Sequence, residues 1–143
     1  MGEYRLIRLG AAVGIGVGGF VHFQIWRHEY RHAPIREMFV ANWVFSALIV
    51  VALLVVVASP RLEGTIGRLA LLGGLALSAG SLVAFALSRG PGVPTLHGTF
   101  KETGLETTSS YVFHLGSAKA VLVSETLAVL LCGAALVRAR SGD

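Results

Sequence analysis

Apolar residues along this chain do not alternate with polar ones. They gather in four long blocks, residues 9–26, 39–58, 69–87 and 112–137, with polar residues collected between them. A helix rising about 1.5 Å per residue needs about 18 to 20 mostly apolar residues to cross a hydrocarbon layer of about 30 Å. The pattern predicts an all-α, membrane-spanning, up-down-up-down four-helix bundle, a single domain over residues 1–143. The first block has a basic start at Arg5 and Arg8. Bulky Phe20, His22, Phe23 and Trp26 stand where a cleavable leader would carry small residues, so it is expected to be a retained helix.

The gaps carry breakers. Ser59-Pro60 ends the second block, because proline has no N–H with which to continue a helix. Gly90-Pro91-Gly92-Val93-Pro94 ends the third, and the polar stretch 99–104 after it is expected to form a short interfacial turn. An even number of spans puts both termini on one side, with Arg5, Arg8, Arg61, Arg68, Arg138 and Arg140 there. Arg27, Arg31, Arg36, Arg89 and Lys101 fall on the other side. Six against five favours cytoplasmic termini in the cell membrane.

Composition agrees with this. The chain is 54% hydrophobic and 14% charged, with a mean hydropathy of +0.70, whereas soluble domains are about 25% charged. The net charge of +4 is scattered at block ends, where side chains reach lipid headgroups. No basic stripe with interleaved aromatics points to nucleic acid. The expected partners are the lipid bilayer and a second copy of the chain or a larger membrane complex. The single Cys132 excludes an internal disulfide and a CxxC pair.

Gly14-Ile15-Gly16-Val17-Gly18-Gly19 satisfies GxGxxG. A dinucleotide site also needs a preceding strand and a downstream acidic residue, and these glycines lie inside a span. Gly10, Gly14 and Gly18 instead make a small-residue stripe that admits a close neighbouring helix. Ala70, Gly74 and Ser78 make another, and Ala128 and Cys132 share the spacing. These stripes predict tight packing in the bundle or a homo-oligomer.

All five histidines, His22, His28, His32, His97 and His114, fall at the end of span one, in the first or third connector, or at the start of span four. In a four-span protein these places share one membrane face. His28 and His32, four residues apart, would stack on any helical continuation. Such imidazoles suit copper or zinc, a haem iron, or a pH sensor. They also suit headgroup anchoring, which the neighbouring Trp26, Tyr30 and Tyr111 favour.

A second polar set lies deeper: His22, Asn42, Lys119 and Glu125. Around Glu125, residues 121–131 are apolar except Ser124 and Thr126. A charged group at such depth costs roughly 2.5–3.5 kcal/mol on insertion scales, so Glu125 should face the bundle interior. Its partner is expected on another span, from His22, Asn42, Ser78 or Ser81. His22, Asn42 and Glu125 are expected to form one intramembrane cluster, either a proton or cation site or three separate packing contacts. Nucleophilic catalysis has no support: GxSxG, HExxH and CxxC are missing, and Asp143 is the sole aspartate.

Val21-His22, Trp26, Tyr30, Ile35 and the Phe39-x-x-Asn42 opening of span two, with Glu125 in span four and Phe100-Lys101-Glu102 before it, carry a resemblance. The chain resembles small four-helix integral membrane proteins of the kind common in high-GC actinobacteria. It departs from them at Arg36 and Glu37, where a small or apolar pair is expected. The resemblance implies a fold and no activity. The leading expectation is a non-enzymatic accessory or packing subunit with a polar site near one membrane face. The alternatives are a metal- or haem-binding redox protein using the histidines, and a small proton-coupled transporter built around Glu125.

Overall fold

The computed structural model describes residues 2–101 and 117–141. Four long helices make up the bundle: α1 (Gly2–Ile25), α2 (Arg36–Ala58), α3 (Thr65–Ser88) and α4 (Ser117–Ser141). All four are long and apolar enough to cross a membrane, and the chain is a multi-pass membrane protein. The helices overrun the apolar blocks. α1 starts seven residues before the first block, and α4 continues four residues past the last, since backbone hydrogen bonding persists after hydropathy has fallen. Residues 112–116, counted with span four from sequence, lie outside the described residues.

Local chemistry sets the ends. Proline clashes with the α conformation of the residue before it, and Ser59 before Pro60 is extended, at φ −128° and ψ 93°. A single 3₁₀ turn, Pro60–Leu62, then leads towards α3. α3 closes where the N–H groups of Gly90 and Gly92 both donate to the Leu87 carbonyl, at 3.0 and 2.8 Å. Gly92 does this at φ +101°, a left-handed conformation that side chains disfavour. α1 runs on into a π turn, Trp26–Tyr30.

The third connector holds more than an interfacial turn. Val93–Thr95 (β1) and Gly98–Phe100 (β2) pair antiparallel, Val93 opposite Phe100 and Thr95 opposite Gly98. Gly98 sits at φ +118°, and the Thr95 hydroxyl donates to its carbonyl at 2.6 Å. The buried Val93 roots this hairpin in the bundle end. Phe100 meets the edge of the Tyr30 ring at 5.3 Å, and Tyr30 stacks on Phe39 at 5.2 Å.

Successive helices run antiparallel, in a register that small residues define. A side chain at Gly10 would meet Leu131, one at Gly14 the backbone of Ala128, and one at Gly18 the carboxyl of Glu125. The α1 stripe therefore receives α4. Gly19, beside that stripe, receives α2: a Cβ there would collide with Ser46 Cβ. Gly74 of the α3 stripe faces inward, where an added Cβ would lie 2.6 Å from Ile15 and 3.2 Å from Cys132 Sγ. In a bilayer apolar burial gives little drive, so close van der Waals packing of this kind is what holds helices together.

α1 is the central helix, with half of its apolar window buried against 22% for α2 and for α3. Two apolar clusters fill the interior. Val21, Ile25, Phe39, Ala120 and Val121 belong to one, near the hairpin. Ala11, Ile15, Leu53, Leu71, Ala128 and Ala135 belong to the other, towards the termini. Between them lies a polar layer with members from every helix.

Candidate functional site

The polar layer is built from His22 on α1, Asn42 and Ser46 on α2, Ser78 and Ser81 on α3, and Ser124 and Glu125 on α4. All are buried except the half-buried Ser81. A chain of hydrogen bonds crosses three helices. Asn42 Nδ2 donates to Ser81 Oγ at 2.7 Å. Ser81 Oγ lies 3.2 Å from His22 Nε2, and His22 Nδ1 lies 2.8 Å from the Gly18 carbonyl. A carbonyl only accepts, so Nδ1 carries the ring proton, and Nε2 accepts from Ser81. Ser46 Oγ donates to Asn42 Oδ1 at 3.4 Å and continues the chain one turn along α2 inside the bundle. Aligned in one direction, such bonds polarise one another.

Glu125 completes the layer from the fourth helix. Its residue is 2% exposed, and its Oε1 lies 3.6 Å from His22 Nδ1. Gly18 favours this approach, because a Cβ there would crowd the carboxyl, 3.0 Å from Oε1. Ser78 and Ser81 face the carboxyl from α3. Ser78 Oγ is buried without closing a hydrogen bond to any described group. Ser124 is turned away, its hydroxyl donating to the Ala120 carbonyl one turn back, at 2.7 Å.

A cavity of about 340 Å³ opens onto this layer between α2 and α3. Its walls are apolar, including Ile25, Ile35, Phe39, Phe85 and Val121, with Phe100 of the hairpin contributing. The polar side chains lining it are His22, Asn42, Ser81 and Ser88. Ala76, Gly80 and Ala84 line the α3 wall at four-residue spacing. A Cβ at Gly80 would meet nothing within 4 Å. These small residues leave a lateral gap on the lipid-facing side of the least buried helices.

The structure thus places His22 beside Glu125 and links His22 to Asn42 through Ser81. The other histidines stand apart from them. His28 lies in the π turn and His32 in the turn after it, both exposed. The π turn's wider spacing interrupts the helical continuation that would have stacked them. His97, in the hairpin, has Nε2 3.1 Å from Glu37 Oε1, a carboxylate also bonded by Arg36. His114 lies outside the described residues. No group of three histidine, cysteine or acidic residues able to hold a metal ion occurs among the described residues. Lys119 is exposed in the first turn of α4, outside the polar layer.

Two features were not anticipated from sequence. Gly19 seats α2 where only the Gly10–Gly14–Gly18 face was read as an interface. Arg8, read as a headgroup flank, is 2% exposed. It pairs with Glu63 of the α2–α3 connector at 2.8 Å.

Compared with models of known protein families, with curated proteins and with solved structures, the chain has no match. The class is defined by its fold alone: a four-helix multi-pass membrane protein with a polar layer under a lipid-facing cavity.

Proposed function

We propose that the protein is a non-enzymatic accessory protein of the cell membrane, with cytoplasmic termini, which binds a neutral lipophilic molecule in the α2–α3 cavity. The carrying observation is the meeting of two unlike surfaces. An apolar cavity of about 340 Å³, within the ordinary range of about 300–1,000 Å³ for small-molecule sites, ends on the Asn42–Ser81–His22 chain. Apolar walls suit a hydrocarbon body drawn from the bilayer. The floor of donors and acceptors suits a hydroxyl or carbonyl head. A photoactivatable long-chain alcohol should crosslink the purified protein at Met38, Phe85 and neighbouring wall residues. Gly80→Leu, which fills the gap without touching the polar chain, should reduce crosslinking severalfold. Labelling spread evenly over the lipid-facing helices, or unchanged in Gly80→Leu, would refute the reading.

One observation favours a second reading, a small proton-coupled transporter: the 3.6 Å approach of His22 and Glu125 inside the bundle. Proteoliposomes with an entrapped pH dye and an imposed gradient separate the two. The transporter reading expects proton flux that Glu125→Gln abolishes, and the binding reading expects the same trace for both proteins. The redox reading rests on histidine content and draws no support from how His28, His32 and His97 are placed. An absorption spectrum with metal analysis tests it.

A further inference from the structure

A second polar site lies at the opposite end of the bundle, where α1 begins, α2 gives way to α3 and α4 ends. A cavity of about 440 Å³ there is lined by Tyr4, Arg8, Glu63, Arg68 and Arg138, together with Gly64 and Ala139. Three guanidiniums and the Glu63 carboxylate line it, and a second carboxylate, Glu3, holds Arg138 at its border. The Arg8 side chain is the unusual member, because charged groups are rarely so fully buried without complete pairing. Its Nη1 donates to Glu63 at 2.8 Å and its Nη2 to the Tyr4 hydroxyl at 2.7 Å, while the guanidinium lies over the Tyr4 ring at 4.1 Å. Its Nε is buried and has no hydrogen-bond partner among the described groups. Arg68 and Arg138 border the same space from α3 and α4. Arg68 donates to the Ala139 carbonyl at 3.4 Å, and Arg138 to Glu3 at 2.8 Å.

We propose that this cavity binds a phosphate group, carried either by an anionic phospholipid of the adjoining leaflet or by a free phosphate anion. Guanidinium forks match phosphate oxygens in geometry and charge. Basic pockets between helices at a membrane face are suited to phosphorylated headgroups. Glu63 and Glu3 compete for the same guanidiniums, so binding is an exchange of partners and is weakened by salt. The level is right for a headgroup: the cavity is bordered by the first turns of α1, the α2–α3 connector and the last turns of α4, outside the apolar blocks. This site shares no residue with the α2–α3 cavity, so the two proposals stand or fall separately.

The test is thermal unfolding of the purified protein in neutral detergent with four additions: phosphatidylglycerol, phosphatidylcholine, sodium phosphate, and sodium chloride at matched ionic strength. Stabilisation by phosphatidylglycerol over phosphatidylcholine, without an effect of phosphate over chloride, assigns the lipid source. Stabilisation by phosphate over chloride assigns the free anion. Arg68→Gln and Arg138→Gln, at exposed positions that the fold tolerates, should each weaken the apparent affinity about fivefold, as for a cation at a lipid surface. Glu3→Gln, which releases Arg138 without removing it, should retain the response. Equal melting in phosphatidylglycerol and phosphatidylcholine together with equal melting in phosphate and chloride would overturn the proposal. So would an undiminished response in both arginine variants.

Discussion

At the scale of single residues, glycine positions divide sharply by what surrounds them. A methyl at Gly19 would overlap Ser46, and one at Gly74 would press on Ile15 at 2.6 Å, whereas nothing lies within 4 Å of Gly133. Overpacking a close interface costs roughly 1–3 kcal/mol, while alanine is the better helix former by about 0.5–1 kcal/mol. Gly19→Ala and Gly74→Ala should therefore lower the melting temperature in detergent, and Gly133→Ala should leave it unchanged or raise it. The polar layer makes a second residue-scale prediction. Asn42→Ala and Ser81→Ala break the same bond, so a double-mutant cycle should show coupling of about 0.6 kcal/mol, with about 1.7 as an upper bound for such bonds in membranes. Strict additivity would mean that the chain is not a unit. Glu125→Gln preserves the shape that Gly18 accommodates and should fold, while Glu125→Leu should lose the contact with α1.

These residues also show how far the sequence could be read. Hydropathy reports depth along the membrane normal, so it located His22, Asn42 and Glu125 at neighbouring levels, and it proposed Ser78 and Ser81 as partners. It does not report rotation about the helix axis. Ser81 as the bridge between His22 and Asn42 therefore emerges only once three helices are packed. The same blindness hid Gly19, because two adjacent glycines serve two different neighbours. Arg8 was misread because an arginine near a helix start ordinarily snorkels to the headgroups. Here Glu63, 55 residues away, holds it inside.

At the scale of elements, the hairpin was the least legible part. Its strands are three residues each, too short for alternation to show. Gly92, read as part of a breaker cluster, and Gly98 are the left-handed positions that allow the chain to turn. A side chain at Gly92 would meet both the disfavoured φ and Thr99 Cγ2. Gly92→Ala should detach the hairpin and leave the helical content intact, which circular dichroism and limited proteolysis near Leu96 would separate. Phe100 belongs both to the hairpin and to the cavity wall. Phe100→Ala should enlarge the cavity mouth and speed release of a crosslinkable alcohol more than it lowers the melting temperature. A purely structural hairpin would show the reverse order of effects.

At the scale of the whole molecule, the termini share one end of the bundle with the Pro60–Leu62 turn, and the hairpin occupies the other end. The charge count favours cytoplasmic termini by one residue, a narrow margin for a rule that depends on short loops. The buried Arg8 weakens it further, since its charge is matched by Glu63 inside the fold. The deciding measurement uses the exposure of the two ends. Leu96 is 88% exposed at the hairpin tip, and Gly64 has open space around it in the α2–α3 connector. Cys132 is fully buried, so the native thiol should resist a membrane-impermeant maleimide, and Cys132→Ala gives a silent background. In that background Leu96→Cys should label in intact cells, and Gly64→Cys only after permeabilisation. The opposite pattern would invert the orientation and carry the phosphate site to the outer leaflet, while leaving the fold untouched. Labelling of both positions from one side would be incompatible with four spans, because an odd number of crossings separates residue 64 from residue 96.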